Sequence, residues 1–162
     1  GGRPRKTVSG CSAPYVQLDI TDKETVSRKN TEIHPDAVIH CAAWTAVDKA
    51  EDNREVCRNV NAEGTRNVAL ACQKIDAKMI YISTDYVFDG RGTSFFQPDD
   101  RKDPINFYGL TKSEGEDQVK ELLKKYFIAG FGSFHSKRPP LILGLKHAAK
   151  AALAFSESPF LR

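Results

Sequence analysis

Apolar residues along this chain alternate between short unbroken runs and stretches in which they return every three or four positions. Ala-Val-Ile-His-Cys-Ala at 37–42 and Lys-Met-Ile-Tyr-Ile-Ser at 78–83 are runs of the first kind. They predict strands of a parallel sheet covered on both faces, with helices as the crossovers. A shorter strand is expected over 15–20, after which Thr21-Asp22-Lys23-Glu24 spells a capping box for a helix ending before Pro35. The acidic cluster 48–52 reads as the solvated start of a helix, where negative charge favours the dipole. From Glu55 the positions Val56, Val60, Thr65, Val68, Ala69 and Cys72 keep to one face as far as about Ile75, despite Gly64. A loop over 89–104 follows the 78–83 strand, reading either as a mobile rim over a substrate or as a solvated connection. A helix is then expected over 107–126, and Tyr126-Phe127-Ile128 begins another buried strand.

Strand and helix alternate as in a doubly wound α/β sheet of the Rossmann-like kind, with right-handed crossovers. The pattern occupies 15–131 and fades on both sides. Residues 1–14, rich in Gly, Arg, Lys, Ser and Pro, are expected to be poorly ordered, and 132–162 holds only a weakly helical stretch at 145–155.

A length of 162 residues with 40% hydrophobic content gives room for one ordinary domain and a core within it. The net charge of +3 is mild and its cations are interspersed with anions, so nothing calls for nucleic acid. Cys11, Cys41, Cys57 and Cys72 show no Cys-x-x-Cys spacing and read as reduced thiols, and His34, His40, His135 and His147 make no metal-like interval with them. No metal site is expected, and His40 reads as a packed core histidine. With no apolar run of membrane-spanning length and no signal-peptide pattern, the expectation is a soluble cytoplasmic protein that binds no membrane. Oligomeric state is not legible.

The candidate chemistry gathers at the end of the 78–83 strand and on the following helix. Ser83 and Thr84 emerge at the strand end, while Tyr108 and Lys112, four apart, share a helix face. A lysine beside a phenol favours its ionised form, and a hydroxyl at the strand end can hold the same oxygen. That trio suits carbonyl-alcohol interconversion, in which an oxygen gains a proton as hydride reaches the carbon. Tyr86 follows Thr84 by two and would leave an extended segment on the same side, which makes it a candidate for substrate contact. After the 37–42 strand, Ala42 and Ala43 permit close approach of a ligand and Thr45 offers a hydroxyl; a tight strand-to-helix turn is the plainer reading.

Ser/Thr at a strand end followed by Tyr-x-x-x-Lys resembles the extended, nucleotide-sugar-modifying branch of the short-chain dehydrogenase/reductase superfamily. The wording Ser83-Thr84-Asp85-Tyr86-Val87-Phe88-Asp89-Gly90, with Cys41-Ala42-Ala43-Trp44-Thr45-Ala46-Val47-Asp48 upstream, is similar to the dTDP-4-dehydrorhamnose reductase family over about 16–128. The resemblance implies reduction, with NADPH or NADH, of the 4-keto group of a dTDP-4-keto-6-deoxy sugar to the rhamnose form. It implies Tyr108 as proton donor, Lys112 as the group that lowers its pKa and holds the nicotinamide ribose, and Thr84 as the ligand of the substrate oxygen, with Asp85 and Tyr86 beside it. It places Asp19 and Ile20 against the adenine, where Asp19 otherwise reads as a turn residue. It places Cys41, Ala42, Ala43 and Thr45 along the nicotinamide ribose and phosphates. Asn61 would hold a water or orient the lysine; a solvent-facing helix asparagine is the competing view.

Members of the superfamily open with a strand, a Gly-rich turn and a helix that binds the cofactor pyrophosphate. Ser9-Gly10-Cys11 is no substitute for that turn, so the expected fold is a partial Rossmann-like sheet lacking the first strand-helix-strand unit. Cofactor binding and activity of this polypeptide alone are expected to be weak or absent, and the residues that separate NADPH from NADH lie outside the match. Loss of the family pattern at both ends reads as a shifted reading frame or misplaced gene boundary, against a genuine short protein with terminal additions. Two other functions fit the same wording: a nucleotide-sugar epimerase or dehydratase using the same Tyr-Lys pair, and a non-catalytic protein like the regulatory β subunit of methionine adenosyltransferase.

Overall fold

The computed structural model describes residues 16–91, 96–97 and 100–130 in full, and the backbone of 131 and 152–155. Strands β1 (Ala37–His40), β2 (Lys78–Thr84), β3 (Tyr126–Phe131) and β4 (Ala152–Phe155) form one sheet in the order β3-β2-β1-β4, every pairing parallel. Val38 stands opposite Met79, His40 opposite Tyr81, and Thr84 opposite Phe131.

Helices α1 (Lys23–Ile33), α2 (Val47–Asp52), α3 (Arg54–Arg58), α4 (Thr65–Lys74) and α5 (Phe107–Leu122) complete the described elements. α1 packs on α4 and α4 on α5, a layer over the sheet face that carries Val38, His40, Met79, Tyr81 and Ser83. Ile39, Ile80 and Ile82 point to the other face, where they are half-buried. Among the described residues the helices thus form one layer, whereas the apolar runs predict cover on both faces. Alternation of parallel strands and helices is the Rossmann-like arrangement the sequence predicts.

Several boundaries move, each for a local reason. Residues 16–19 form no strand, and no strand pairs with them among the described residues. Asp22, not Thr21, caps α1, its carboxylate accepting from Thr25 N at 3.0 Å. Thr21 is occupied: its N–H and hydroxyl both donate to Asp19 Oδ1, at 2.9 and 2.8 Å. β1 stops at His40 because Trp44 N, further on, is drawn to the Asn61 side chain instead of a strand neighbour.

The helix expected from Glu55 to Ile75 is observed with a π-helical turn, Asn59–Gly64, between α3 and α4. This wider turn carries the Asn61 amide to partners outside the helix. Gly64 allows it to seat on Ile20, whose side chain would lie 2.7 Å from a Cβ there.

The 126–128 segment is a strand, but not a buried one: Tyr126 is 42% and Phe127 55% exposed, at the outer edge of the described sheet. The helical expectation for 145–155 is overturned at 152–155, which form β4. There the backbone pairs in parallel with β1, whose free ladder groups outweigh a weak helical pattern. The expectations for 1–14 and 145–151 concern positions outside the described residues. Among the described residues no helix is long and apolar enough to cross a membrane.

Candidate active site at the end of the second strand

β2 ends at Thr84, and the chain turns at once into a 3₁₀ turn, Asp85–Val87. Thr84 caps that turn, its Oγ1 accepting from Tyr86 N at 3.3 Å and donating to Asp85 Oδ1 at 3.2 Å. The segment is therefore not extended, and the same-side argument for Thr84 and Tyr86 does not apply. Tyr86 nonetheless comes to the site, its ring edge-on to Tyr108 at 5.7 Å and 77°.

α5 brings Tyr108 and Lys112 to the same place. Its start is held twice: Asn106 Oδ1 accepts from Gly109 N at 2.7 Å, and Glu51 Oε1 accepts from Phe107 N at 2.7 Å. Gly109 lets it press onto the turn, for a Cβ there would sit 2.1 Å from the Tyr86 carbonyl oxygen.

The Thr84 hydroxyl acts on the Tyr108 phenol. Burial pushes the Tyr108 phenol up from its ordinary value, and the Thr84 hydroxyl is the group that draws it back down. Lys112 is placed differently from the sequence expectation. Its Nζ donates to the Ile82 carbonyl at 2.7 Å and sits 4.0 Å from the centre of the Tyr81 ring. A buried ammonium takes the nearest strong acceptor, which here is a strand carbonyl with an aromatic face beneath it. Burial holds its pKa down at about 7.

His40 is a core residue, stacked on Tyr81 at 5.6 Å. The Thr65 hydroxyl donates to Asn61 O, so it is free to accept from His40 Nε2 at 3.0 Å, which assigns the Nε2–H tautomer. Burial depresses the His40 pKa to about 3, with Lys112 pushing the same way.

Beyond β1, Cys41 and Thr45 are exposed, Ala43 is half-buried, and Ala42 and Trp44 are buried. Asn61 fixes this ribbon to α5. Its Oδ1 accepts from Trp44 N at 2.7 Å, while its Nδ2 donates to Trp44 O at 3.2 Å and to Thr111 Oγ1 at 3.0 Å. Thr111 in turn donates to Tyr108 O at 2.9 Å. The solvent-facing alternative for Asn61 is excluded, and its side-chain partners are the ribbon, Thr111 and Cys57 Sγ, not the lysine amine. Asp19 is exposed and Ile20 buried, the latter's carbonyl accepting from Asn67 Nδ2 at 3.0 Å.

Cys41 of this ribbon acts on the Lys112 amine, and its small neighbours Ala42 and Ala43 could admit the nicotinamide-ribose half of a dinucleotide. No glycine-rich turn for its pyrophosphate occurs among the described residues. Nor do three His, Cys, Asp or Glu side chains converge there as a metal site would require.

The family model described as the RmlD substrate binding domain matches residues 4–140. The chain belongs to that family.

Among its relatives, a dTDP-4-dehydrorhamnose reductase from Mycolicibacterium smegmatis is 50% identical over 105 residues, 64% of this chain and 31% of that protein. One from Streptomyces griseus is 44% identical over 106 residues, 65% of this chain and 35% of its own. The crystal structure of dTDP-4-dehydrorhamnose reductase from Bacillus anthracis in complex with NADP superposes with a TM-score of 0.70 at 48% identity. It covers 71% of this chain and 41% of that one. The chain thus spans about a third of the length of the curated relatives it matches.

Three contributors in this RmlD-family chain escape a sequence reading. Glu51 belongs to the solvated acidic cluster yet caps α5 across the fold. Gly115 lies where a Cβ would meet the Tyr81 hydroxyl at 2.5 Å and Asn61 O at 2.8 Å. Glu116 is buried, its Oε1 accepting from Ser83 Oγ at 2.5 Å. The glycine after Tyr108 and the Gly-Glu pair after Lys112 are visible in the sequence, but their partners are distant in it.

Proposed function

We propose that this chain carries the carbonyl-reducing site of a dTDP-4-dehydrorhamnose reductase, acting on the 4-keto group of a dTDP-4-keto-6-deoxy sugar in dTDP-rhamnose biosynthesis. The observation that carries the reading is the meeting of Thr84, at the strand end, with Tyr108, whose phenol its hydroxyl draws down and whose ring lies edge-on to Tyr86, with Lys112 one turn along α5. A reduced nicotinamide, from NADPH or NADH, supplies the hydride when bound. The Tyr108 phenol gives its proton to the oxygen that hydride addition leaves negative, and the Thr84 hydroxyl holds that oxygen in line. Lys112 reaches the phenol or a ribose hydroxyl by turning its flexible stem away from Ile82 O, and its charge then favours the phenolate.

Residues 41–45 would receive the nicotinamide ribose and phosphates, and Asp19 with Ile20 the adenine. Asp85 and Tyr86 would flank the sugar. A charged sugar nucleotide as substrate, together with free thiols at Cys41, Cys57 and Cys72, supports a cytoplasmic setting for the reaction.

Calorimetric titration of the 162-residue polypeptide with NADPH and NADH, followed by turnover of the keto sugar nucleotide, tests the reading. Weak binding and slow reduction are expected, with Tyr108→Phe lowering kcat about 10²- to 10⁴-fold while the polypeptide stays folded. Turnover indifferent to Tyr108→Phe would overturn it.

A further inference from the structure

We propose that Glu116 is a positioning residue for the Tyr108–Lys112 pair: a carboxylate fixed between Ser83 and Lys102 that balances the Lys112 ammonium and keeps it seated on the Tyr81 ring. This rests on reading Tyr108 and Lys112 as the proton-transfer pair. Glu116 lies one turn beyond Lys112 on α5, and the two residues are 6% and 3% exposed.

Both carboxylate oxygens of Glu116 have donors. Oε1 accepts from Ser83 Oγ at 2.5 Å, and Oε2 pairs with Lys102 Nζ at 2.9 Å, with Lys120 Nζ further off at 3.8 Å. A buried carboxylate so satisfied keeps one orientation. Lys112, by contrast, has one carbonyl and one ring face, and no carboxylate within ion-pair distance among the described residues. Those two contacts do not replace the water it has lost.

The groups around the amine come from every neighbouring element. His40 and Tyr81 face it from the sheet, Cys41 from the ribbon and Glu116 from α5, Tyr108 lies one turn before it on α5, and Lys102 pairs with Glu116. His40 is uncharged near neutrality, while Tyr81, Cys41 and Tyr108 are held in their protonated forms. Asp85 acts on the Tyr108 phenol. Of the groups facing the amine, Glu116 supplies the negative charge, and it is the first of those that raise the Lys112 pKa against burial. The same carboxylate joins the residue before Thr84 to the loop residue Lys102, so strand end, loop and helix meet on it.

Side-chain NMR titration of isotope-labelled lysine, with the Lys112 signal assigned by its loss in Lys112→Arg, reads this directly. Glu116→Gln is expected to lower the Lys112 midpoint by about one unit, a tenfold fall in its charged-to-neutral ratio. Lys102→Met, which removes the competing cation, is expected to raise it, and Glu116→Asp to hold it near the wild-type value. An unmoved midpoint in Glu116→Gln, or shifts of the same sign in Glu116→Gln and Lys102→Met, would overturn the proposal. If Glu116→Gln does not fold, a Lys102→Met midpoint that fails to rise overturns it equally. Turnover indifferent to Tyr108→Phe would remove the reductase reading and leave the midpoint result standing.

Discussion

Gly109 shows how tightly single atoms are specified around Tyr108. A Cβ 2.1 Å from the Tyr86 carbonyl oxygen cannot be relieved by a rotamer change, since the obstructing atom is backbone. Gly109→Ala should cost about 1–3 kcal/mol, because forced backbone movement outweighs the ~1 kcal/mol gained in helix propensity. Urea unfolding would show it; a variant as stable as the parent would mean that the turn and α5 are not in contact as described. Thr84, Tyr108 and Lys112 are legible from their own spacing because they sit at a strand end and on one helix face. The partner of Lys112 is not legible. Whether an amine turns to a phenol four residues back or to the Ile82 carbonyl depends on which acceptor a folded neighbour supplies, and periodicity holds no trace of that.

α5 is the element that assembles the site, and its first turn is held from two directions. Asn106 belongs to its own chain segment and Glu51 to α2. Replacing Asn106 by Ala should cost about 0.5–2 kcal/mol and fray the start of the helix, where Tyr108 lies. Hydrogen exchange should then speed up at the amides of 109–111 and stay unchanged around Val119. Uniform acceleration along α5 would show instead that the cap contributes only to global stability. The helix itself is plain in the sequence, as is the strand before it. The π-helical turn is not, because a one-residue widening leaves the apolar pattern on the same face. The Asn61 amide that uses this turn bonds to Trp44 and Thr111, far away in the chain.

At the scale of the molecule, buried titratable groups give stability a definite pH dependence. Lys112 has a pKa of about 7 in the fold against 10.5 ordinarily, so above pH 7 the unfolded chain holds a proton that the folded one has lost, and stability rises with pH. Cys57 and Cys72, ordinarily near 9.0, are pushed up by burial, Cys72 to about 12. Folding keeps their protons on where the unfolded chain would release them, which reverses the slope above about pH 9. On the acid side His40, at about 3 against 6.5, costs stability as pH falls between those values, because only the unfolded chain takes up its proton. Urea midpoints should therefore climb from pH 7 to 9, and Lys112→Met should abolish that climb. A climb that survives in Lys112→Met would show that this ammonium is not desolvated in the fold.

By itself the sequence determined the order of strands and helices over 21–131, the Rossmann-like class, and the placing of Thr84 at a strand end with Tyr108 and Lys112 on the next helix, because periodicity, strand ends and helical spacing are local properties. The tertiary structure alone decided where each polar group finds its partner: Lys112 on Ile82 O, Asn61 between Trp44 and Thr111, Glu116 between Ser83 and Lys102. It likewise decided that 152–155 form a strand beside β1 and that 16–19 do not pair. Buried charge and open ladder groups take whatever complement the fold brings near, and that complement lies tens of residues away along the chain.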